Sequence, residues 1–300
     1  MNLQKLLISS HRYNLRMKLD SKNLFELLIA VLIFSMVPVA VKATSANAFT
    51  IGFFRLMVAS SLLAIMWRKK IDFRAIHKKS FWKLIIIGFC FFSHWLTYTF
   101  SVKIGGPSFT VIGMATYGIQ LILYGSFFLG YHFNRKNLLC LALIIFGIFL
   151  VVPNFDFHNK TTLGLGLALL SASFYAIIPI MLQKSHEFNQ ETRVFFQFTI
   201  SLIGYCLLLP FADFHQLLQR DWFVLVFLAI FGTFIAHTLW SGLVSRLPTT
   251  TTGISYYLIT PSAMLISWLV FKEDLSFIQI LGGFIILVSA LLNHLLKFKN

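Results

Sequence analysis

FSMVPVAVK, residues 34–42, lies over YAIIPIMLQ, residues 175–183, when the chain is shifted by 141 positions, and Pro38 then falls on Pro179. The same register holds elsewhere. FFRLMVAS from Phe53 falls on FFQFTISL from Phe195 at a shift of 142, Trp82 on Trp222 at 140, and Pro107 on Pro248 at 141. Matches confined to so narrow a window of shifts define a duplication of roughly 140 residues.

The composition says what kind of unit is duplicated. Of 300 residues, 58% are hydrophobic and only 12% are charged, far from the balance of a soluble domain. About 20 apolar residues at roughly 1.5 Å each cross the hydrocarbon core of a bilayer. Lipid offers no partner to an open backbone group, so such runs are read as helices. Ten spans are predicted: 24–42, 48–67, 82–102, 107–130, 138–152, 163–183, 194–211, 222–245, 250–271 and 276–296. The fifth, LLCLALIIFGIFLVV, is short at 15 residues but free of charge, and the turn-like PNFD follows it.

Each copy of the duplication holds five spans, and five is odd, so the second copy must enter the membrane from the opposite side. The expected fold class is an all-α integral membrane protein of ten transmembrane helices in two inverted-topology five-helix repeats. Their expected bounds are 24–152 and 163–296, after a basic tail over 1–23. Inverted repeats of this kind are characteristic of secondary transporters.

The formal net charge of +15 is read through its distribution. With the N-terminus inside, 18 Lys and Arg fall in cytoplasmic segments, six of them in RKKIDFRAIHKK from Arg68. Five fall on the other side: Lys42, Lys103, Lys160, Arg220 and Lys272. That bias puts both termini of a multi-pass inner-membrane protein in the cytoplasm. Attraction to anionic lipid is a secondary effect of the same charges. The expected partners are therefore the lipid bilayer and a small-molecule substrate, not nucleic acid, with the chain acting as a monomer or homodimer. The tail leads into a full-length span without a cleavage pattern, as an uncleaved first helix does. Its stretch LQKLLISSHRYNLRMKL fits a basic helix on the membrane surface or a disordered tail equally well. Cys90, Cys140 and Cys206 all fall inside predicted spans without pairable spacing, so neither a disulfide framework nor a metal site is expected. No cofactor is expected.

Several strings bear a specific resemblance: RLMVAS in the second span, IGGP at residues 104–107 entering the fourth, and YYLITPSAMLISWLVFKEDLSFIQILGGFIIL over residues 256–287. Together with the two five-helix halves they resemble the EamA family of the drug/metabolite transporter superfamily, loosely over residues 24–296. The last string is similar to that family's proline-containing ninth helix, its following acidic turn and its glycine-bearing final helix. Two departures stand out. FLGYHFNRK, residues 128–136, has Tyr131 where the glutamate would stand, and Ile119 occupies the place that Pro261 holds in the second half. The halves are thus not expected to use identical gates. The resemblance implies amino acids and related solutes as cargo, with export the more familiar direction. Other members of the superfamily import nucleotide-type metabolites such as S-adenosylmethionine, or carry nucleotide sugars.

Ionisable groups inside spans are costly and therefore candidates for function. His94 and His237 sit near the middle of the third and eighth spans, which correspond in the two halves. At helical spacing His94 shares a face with Tyr98, and His237 with Trp240 and Ser241. Rings beside a hydrogen-bonding group suit a solute with a flat or partly apolar body. Gln120, at midspan of the fourth helix, needs several partners for its amide, with Tyr117 three residues before it. Tyr175 is placed with this substrate-binding set, as is Tyr257, whose carbonyl Pro261 frees by bending the ninth helix. Tyr117 and Tyr256 are read as interfacial. Pro38 and Pro179 occupy matched positions, as hinges in discontinuous transporter helices do.

Arg55 lies roughly 11 Å below the outer boundary at about 1.5 Å per residue, within snorkelling reach. It is expected to serve as a gate or structural anchor, with Gln197 as its counterpart and Pro261 as a further hinge; the competing reading offers its charge to an anionic solute. Glu26 and Glu273 lie near span ends, and no carboxylate falls at a predicted midplane. An acidic proton relay thus has no seat. Coupling would run through a histidine, and otherwise the protein is a facilitator or exchanger. A membrane enzyme built on His237 and Ser241 is the rival class, and it lacks a third orienting group.

Overall fold

The computed structural model describes residues 21–129, 135–151, 158–247 and 249–296. The first 20 residues of the predicted basic tail, Tyr131 and the PNFD stop lie outside the described residues.

The described elements are helical: α1 (Ser21–Ala43), α2 (Ala48–Trp67), α3 (Phe81–Gly105), α4 (Pro107–Met114), α5 (Tyr117–Leu129), α6 (Arg135–Val151), α7 (Lys160–Gln183), α8 (Gln190–Leu207), α9 (Gln219–Ala229), α10 (Ala236–Arg246), α11 (Thr249–Phe271) and α12 (Phe277–Leu296). Among the described residues, six stretches are long and apolar enough to cross a membrane: α1, α2, α3, Pro107–Phe128, α7 and Gln219–Leu243.

Two predicted spans are broken near their middles. The 107–130 span turns at Ala115 and Thr116, where the Thr116 hydroxyl donates to the Gly113 carbonyl at 2.7 Å. The 222–245 span passes through a π-helical turn at Ile230–Ile235. Helix α8 starts four residues before its predicted span because Asn189 caps it, accepting from Thr192 N at 2.8 Å. It ends early, where Pro210 enters a short 3₁₀ turn.

Two sets of polar contacts at the helix ends repeat the register of the sequence. Asn47 caps α2, accepting from Thr50 N at 2.9 Å, as Asn189 caps α8. Asn47 Nδ2 donates to the Phe211 carbonyl at 2.9 Å, and Asn189 Nδ2 donates to the Lys70 carbonyl at 2.8 Å. Thr50 Oγ1 accepts from Asp213 N at 2.9 Å, and Thr192 Oγ1 accepts from Asp72 N at 2.8 Å. Each of these partners is displaced by 141 or 142 positions from its counterpart, so the duplicated residues bond reciprocally across the halves.

Between these ends lies a core in which Phe91 of α3 stacks on Phe198 of α8 at 5.4 Å between centroids, beside buried Leu63, Ile87 and Tyr205. Large apolar residues such as Phe25, Ile65, Phe89, Phe127 and Phe277 point outward. An apolar rim around a core that also holds polar groups is what a lipid environment selects.

Lys83 and Glu187 close one of the loops at 2.8 Å. The Lys83 ammonium, donating to the Glu187 carboxylate, holds it down from an ordinary value of 4.5 to about 2. A depressed carboxylate contributes stability above its unfolded value and loses it as pH falls through the folded one. Wild-type protein is thus expected to lose thermal stability between about pH 4.5 and 2 in a component absent from Glu187→Gln. Parallel melting curves for the two proteins over that window would remove the pair from any role in stability.

Candidate functional site

Where α1, α3, α4, α7, α10 and α11 converge, they leave a cavity of about 60 Å³. Its walls include Phe34, His94, Trp95, Tyr98, Tyr175, His237, Tyr256 and Thr260.

His94 is oriented by α7. Its Nδ1 lies 2.8 Å from Ser171 Oγ and 3.2 Å from the Ser171 carbonyl, while Ser171 Oγ donates back to the His94 carbonyl at 3.0 Å. A carbonyl only accepts, so Nδ1 carries the proton and Nε2 is left as an acceptor. The His94 ring lies 4.7 Å from Tyr175 and 5.8 Å from Tyr98. His237 comes from α10, and the rings of Phe34, Phe91 and Trp95 meet it edge-on at 5.1, 5.2 and 5.7 Å. Its Nε2 is buried without a partner. Ser241 Oγ accepts from Gln190 Nε2 at 3.0 Å, which ties α10 to α8.

Tyrosines form the remaining wall. Tyr256 lies 5.2 Å from Tyr117, 6.2 Å from Tyr175 and 5.8 Å from Trp240, and Tyr117 lies 5.2 Å from Tyr175. Among the cavity-lining residues there is neither a carboxylate nor a lysine or arginine. The space therefore offers ring faces, imidazole nitrogens and hydroxyls.

The predicted substrate-binding residues divide. His94, Tyr98, Tyr175 and His237 line the cavity, and Trp240 stands behind Tyr256. Gln120 does not line it: its Nε2 donates to Thr116 Oγ1 at 2.9 Å and to the Leu169 carbonyl at 3.3 Å, tying α5 to α7. Tyr257 is 4% exposed and packs with Ile119, Ile144 and Ala290 on another face of α11. Phe34 and Trp95 are cavity residues that the sequence pattern does not single out, and Tyr256, expected at the interface, lines the cavity instead. Spacing could have marked the last, since Tyr256, Ile259 and Thr260 share one helical face.

Pro38, Pro179 and Pro261 lie inside α1, α7 and α11. A helical proline leaves the carbonyl four residues earlier without its usual partner. For Pro38 and Pro179 those residues are Phe34 and Tyr175, both on the cavity wall. Gln197 is buried on α8 and does not line the cavity, while Arg55 reaches the π-helical turn.

A multi-pass membrane protein whose helices enclose an aromatic cavity has a feature that membrane transporters share. The model of the EamA-like transporter family matches residues 22–152 and again residues 162–295, and the chain belongs to that family. Two Bacillus subtilis relatives are named as uncharacterized transporters. YetK is 23% identical over 249 residues, covering 76% of this chain and 72% of its own. YxxF is 23% identical over 230 residues, covering 74% and 73%. One solved crystal structure aligns with a TM-score of 0.64 at 14% identity, covering 93% of this chain and 98% of that one, and so shares the fold.

Proposed function

We propose that this protein moves a small organic metabolite with a flat apolar body, an amino acid or related solute, across the inner membrane by alternating access. The aromatic cavity carries the proposal: tyrosine, tryptophan and histidine side chains enclose it, and ring faces are suited to stacking on a planar solute. The carbonyls released at Phe34 and Tyr175 add acceptors suited to an ammonium group.

In this reading ten helices form two five-helix repeats of opposite topology, with both termini cytoplasmic. The reciprocal bonds of Asn47 with Asn189 and of Thr50 with Thr192 support it, because an in-plane two-fold would generate such pairs at opposite ends of the molecule. Two similar halves around one cavity can exchange conformations and so turn an outward-facing site inward.

Counterflow by purified protein in liposomes tests the function, with aromatic and aliphatic amino acids and S-adenosylmethionine as labelled solutes. Saturable exchange of an aromatic amino acid is expected. Exchange of S-adenosylmethionine alone would transfer the site to nucleotide-type metabolites, and substrate-independent leakage would end the transport reading.

The matched prolines act as hinges here. Pro38→Ala returns a helical partner to the Phe34 carbonyl, so it is expected to leave melting unchanged or raised and to slow counterflow several-fold. Unaltered uptake kinetics would remove the hinge.

A further inference from the structure

Arg55 is 2% exposed inside the helix bundle. Its Nε donates to Thr233 Oγ1 at 2.7 Å, and its Nη2 donates to the Gly232 carbonyl at 3.2 Å, both on the π-helical turn. The guanidinium carbon lies 3.8 Å from the centroid of Trp95. The third nitrogen, Nη1, is buried without a partner. No ion pair among the described residues includes Arg55.

Two neighbouring groups share that lack. Trp95 Nε1 and the Tyr205 hydroxyl are also buried and unpartnered, and the Tyr205 ring packs on Gly52. Gly52, Arg55, Leu56, Trp95, Thr99 and Thr233 bound a second, much smaller space of about 10 Å³, room for a single oxygen-sized atom. Trp95 is the one residue whose side chain belongs to the walls of both this space and the aromatic cavity.

The unmet capacity is therefore of one kind. Guanidinium and indole nitrogens donate and cannot accept, and a hydroxyl can donate as well. A bound water would satisfy donors but leave the charge uncompensated, and an unpaired charge within a bilayer is costly. An acceptor that carries negative charge meets both needs at once.

We propose that the space behind Trp95 is an oxyanion subsite of the transport cavity, which takes one carboxylate oxygen of a solute whose flat body lies among the tyrosines. The proposal rests on the aromatic cavity being the solute site. Trp95 sets the boundary between the two parts of the ligand, with one face on the Arg55 guanidinium. Arg55 is then a binding residue whose other two nitrogens are fixed in advance by the π-helical turn, which keeps Nη1 oriented before the solute arrives.

Isothermal titration of detergent-purified protein with indole-3-propionate and with its neutral amide, indole-3-propionamide, tests this. The carboxylate is expected to bind at least tenfold more tightly, Arg55→Gln to abolish that preference, and Arg55→Lys to keep part of it. Equal affinity for the two probes, binding of neither, or a tenfold preference that survives in Arg55→Gln would overturn the proposal. The wild-type comparison decides even if Arg55→Gln fails to fold. Trp95→Phe, which deletes the indole N–H and keeps a ring, is expected to reduce the preference for the carboxylate over the amide several-fold. Counterflow of the same pair in liposomes separates the two proposals. A binding preference without flux upholds the subsite and sinks transport, whereas equal flux of both probes sinks the subsite and leaves transport standing.

Discussion

Gly164→Val is expected to lower the melting temperature of the detergent-solubilised protein more than any other single glycine change on α7. Helices α3 and α7 touch there backbone to backbone. A Cβ built on Gly164 would overlap Gly105 Cα and lie 2.8 Å from Gly105 N and 3.3 Å from the Ser101 carbonyl. Backbone cannot swing aside as the end of a side chain can. Close approach through small residues is how membrane helices gain packing without a hydrophobic driving force. The same crossing holds a polar contact: Ser101 Oγ donates to the Gly164 carbonyl at 2.7 Å and lies 2.7 Å from Thr110 Oγ1. Separating the helices gives up that bond as well as the packing. Overpacking costs typically 1–3 kcal/mol, and an interhelical hydrogen bond in lipid about 0.6–2 kcal/mol, so a loss of about 2–5 kcal/mol is expected. Gly166→Val is the control, since nothing lies within 4 Å of a Cβ at Gly166. Equal melting temperatures for the two variants would show that α3 and α7 do not meet as described.

Adjacent tyrosines on α11 give the second large effect, split between function and stability. Tyr256 joins Tyr117, Tyr175 and Trp240 in the cavity wall. Aromatic pairs contribute about 0.5–1.5 kcal/mol each beyond area burial, so removing this ring from the proposed solute site should weaken counterflow at least tenfold. Tyr256→Ala is expected to remain folded, because the ring borders space already unfilled. Tyr257 is packed among Ile119, Ile144 and Ala290, with its hydroxyl against Gly118. Tyr257→Ala should therefore cost about 3–5 kcal/mol of stability, in the range for large buried aromatics, and leave the apparent affinity of the residual folded protein unchanged. Loss of affinity in Tyr257→Ala with none in Tyr256→Ala would turn α11 around and displace the proposed site.

The choice between those two tyrosines illustrates what was legible beforehand. Pro261 drew attention to Tyr257, whose carbonyl it frees, yet the side chain of Tyr257 points to a satellite cluster and Tyr256 faces the cavity. Helical phase would choose between them in a soluble protein, because one stripe would be apolar and the other polar. Helix α11 is apolar around most of its circumference, with Leu258, Leu265, Trp268 and Leu269 exposed and Tyr257 and Ala263 buried. Polar midspan residues were more readable: His94 and His237 do line the cavity, since an imidazole in a span needs a partner or a cavity. Gln120 met the same need differently, through Thr116 and a backbone carbonyl of α7. A polar group in lipid announces that it needs a partner, not which one.

Arg55 shows the same limit. Its isolation in FFRLMVAS marked it as exceptional, and its depth suggested an anchor at the outer end of α2. Instead it reaches the π-helical turn more than 170 residues away along the chain, at Gly232 and Thr233. That turn replaces part of a span that the sequence presents as uninterrupted, and from it Thr233 Oγ1 donates back to the Leu228 carbonyl of α9 at 2.8 Å.

What the sequence by itself determined is the membrane class, its helical character, the family resemblance and the duplication. Hydrocarbon forces each crossing segment to satisfy its own backbone, so a span is a local property written in some 20 consecutive residues. Only the tertiary structure decided which ring faces the cavity, what holds Arg55, and where α4 and α9 break. Those depend on the partner that each side chain finds across the bundle, and in lipid an inward face and an outward face can be equally apolar.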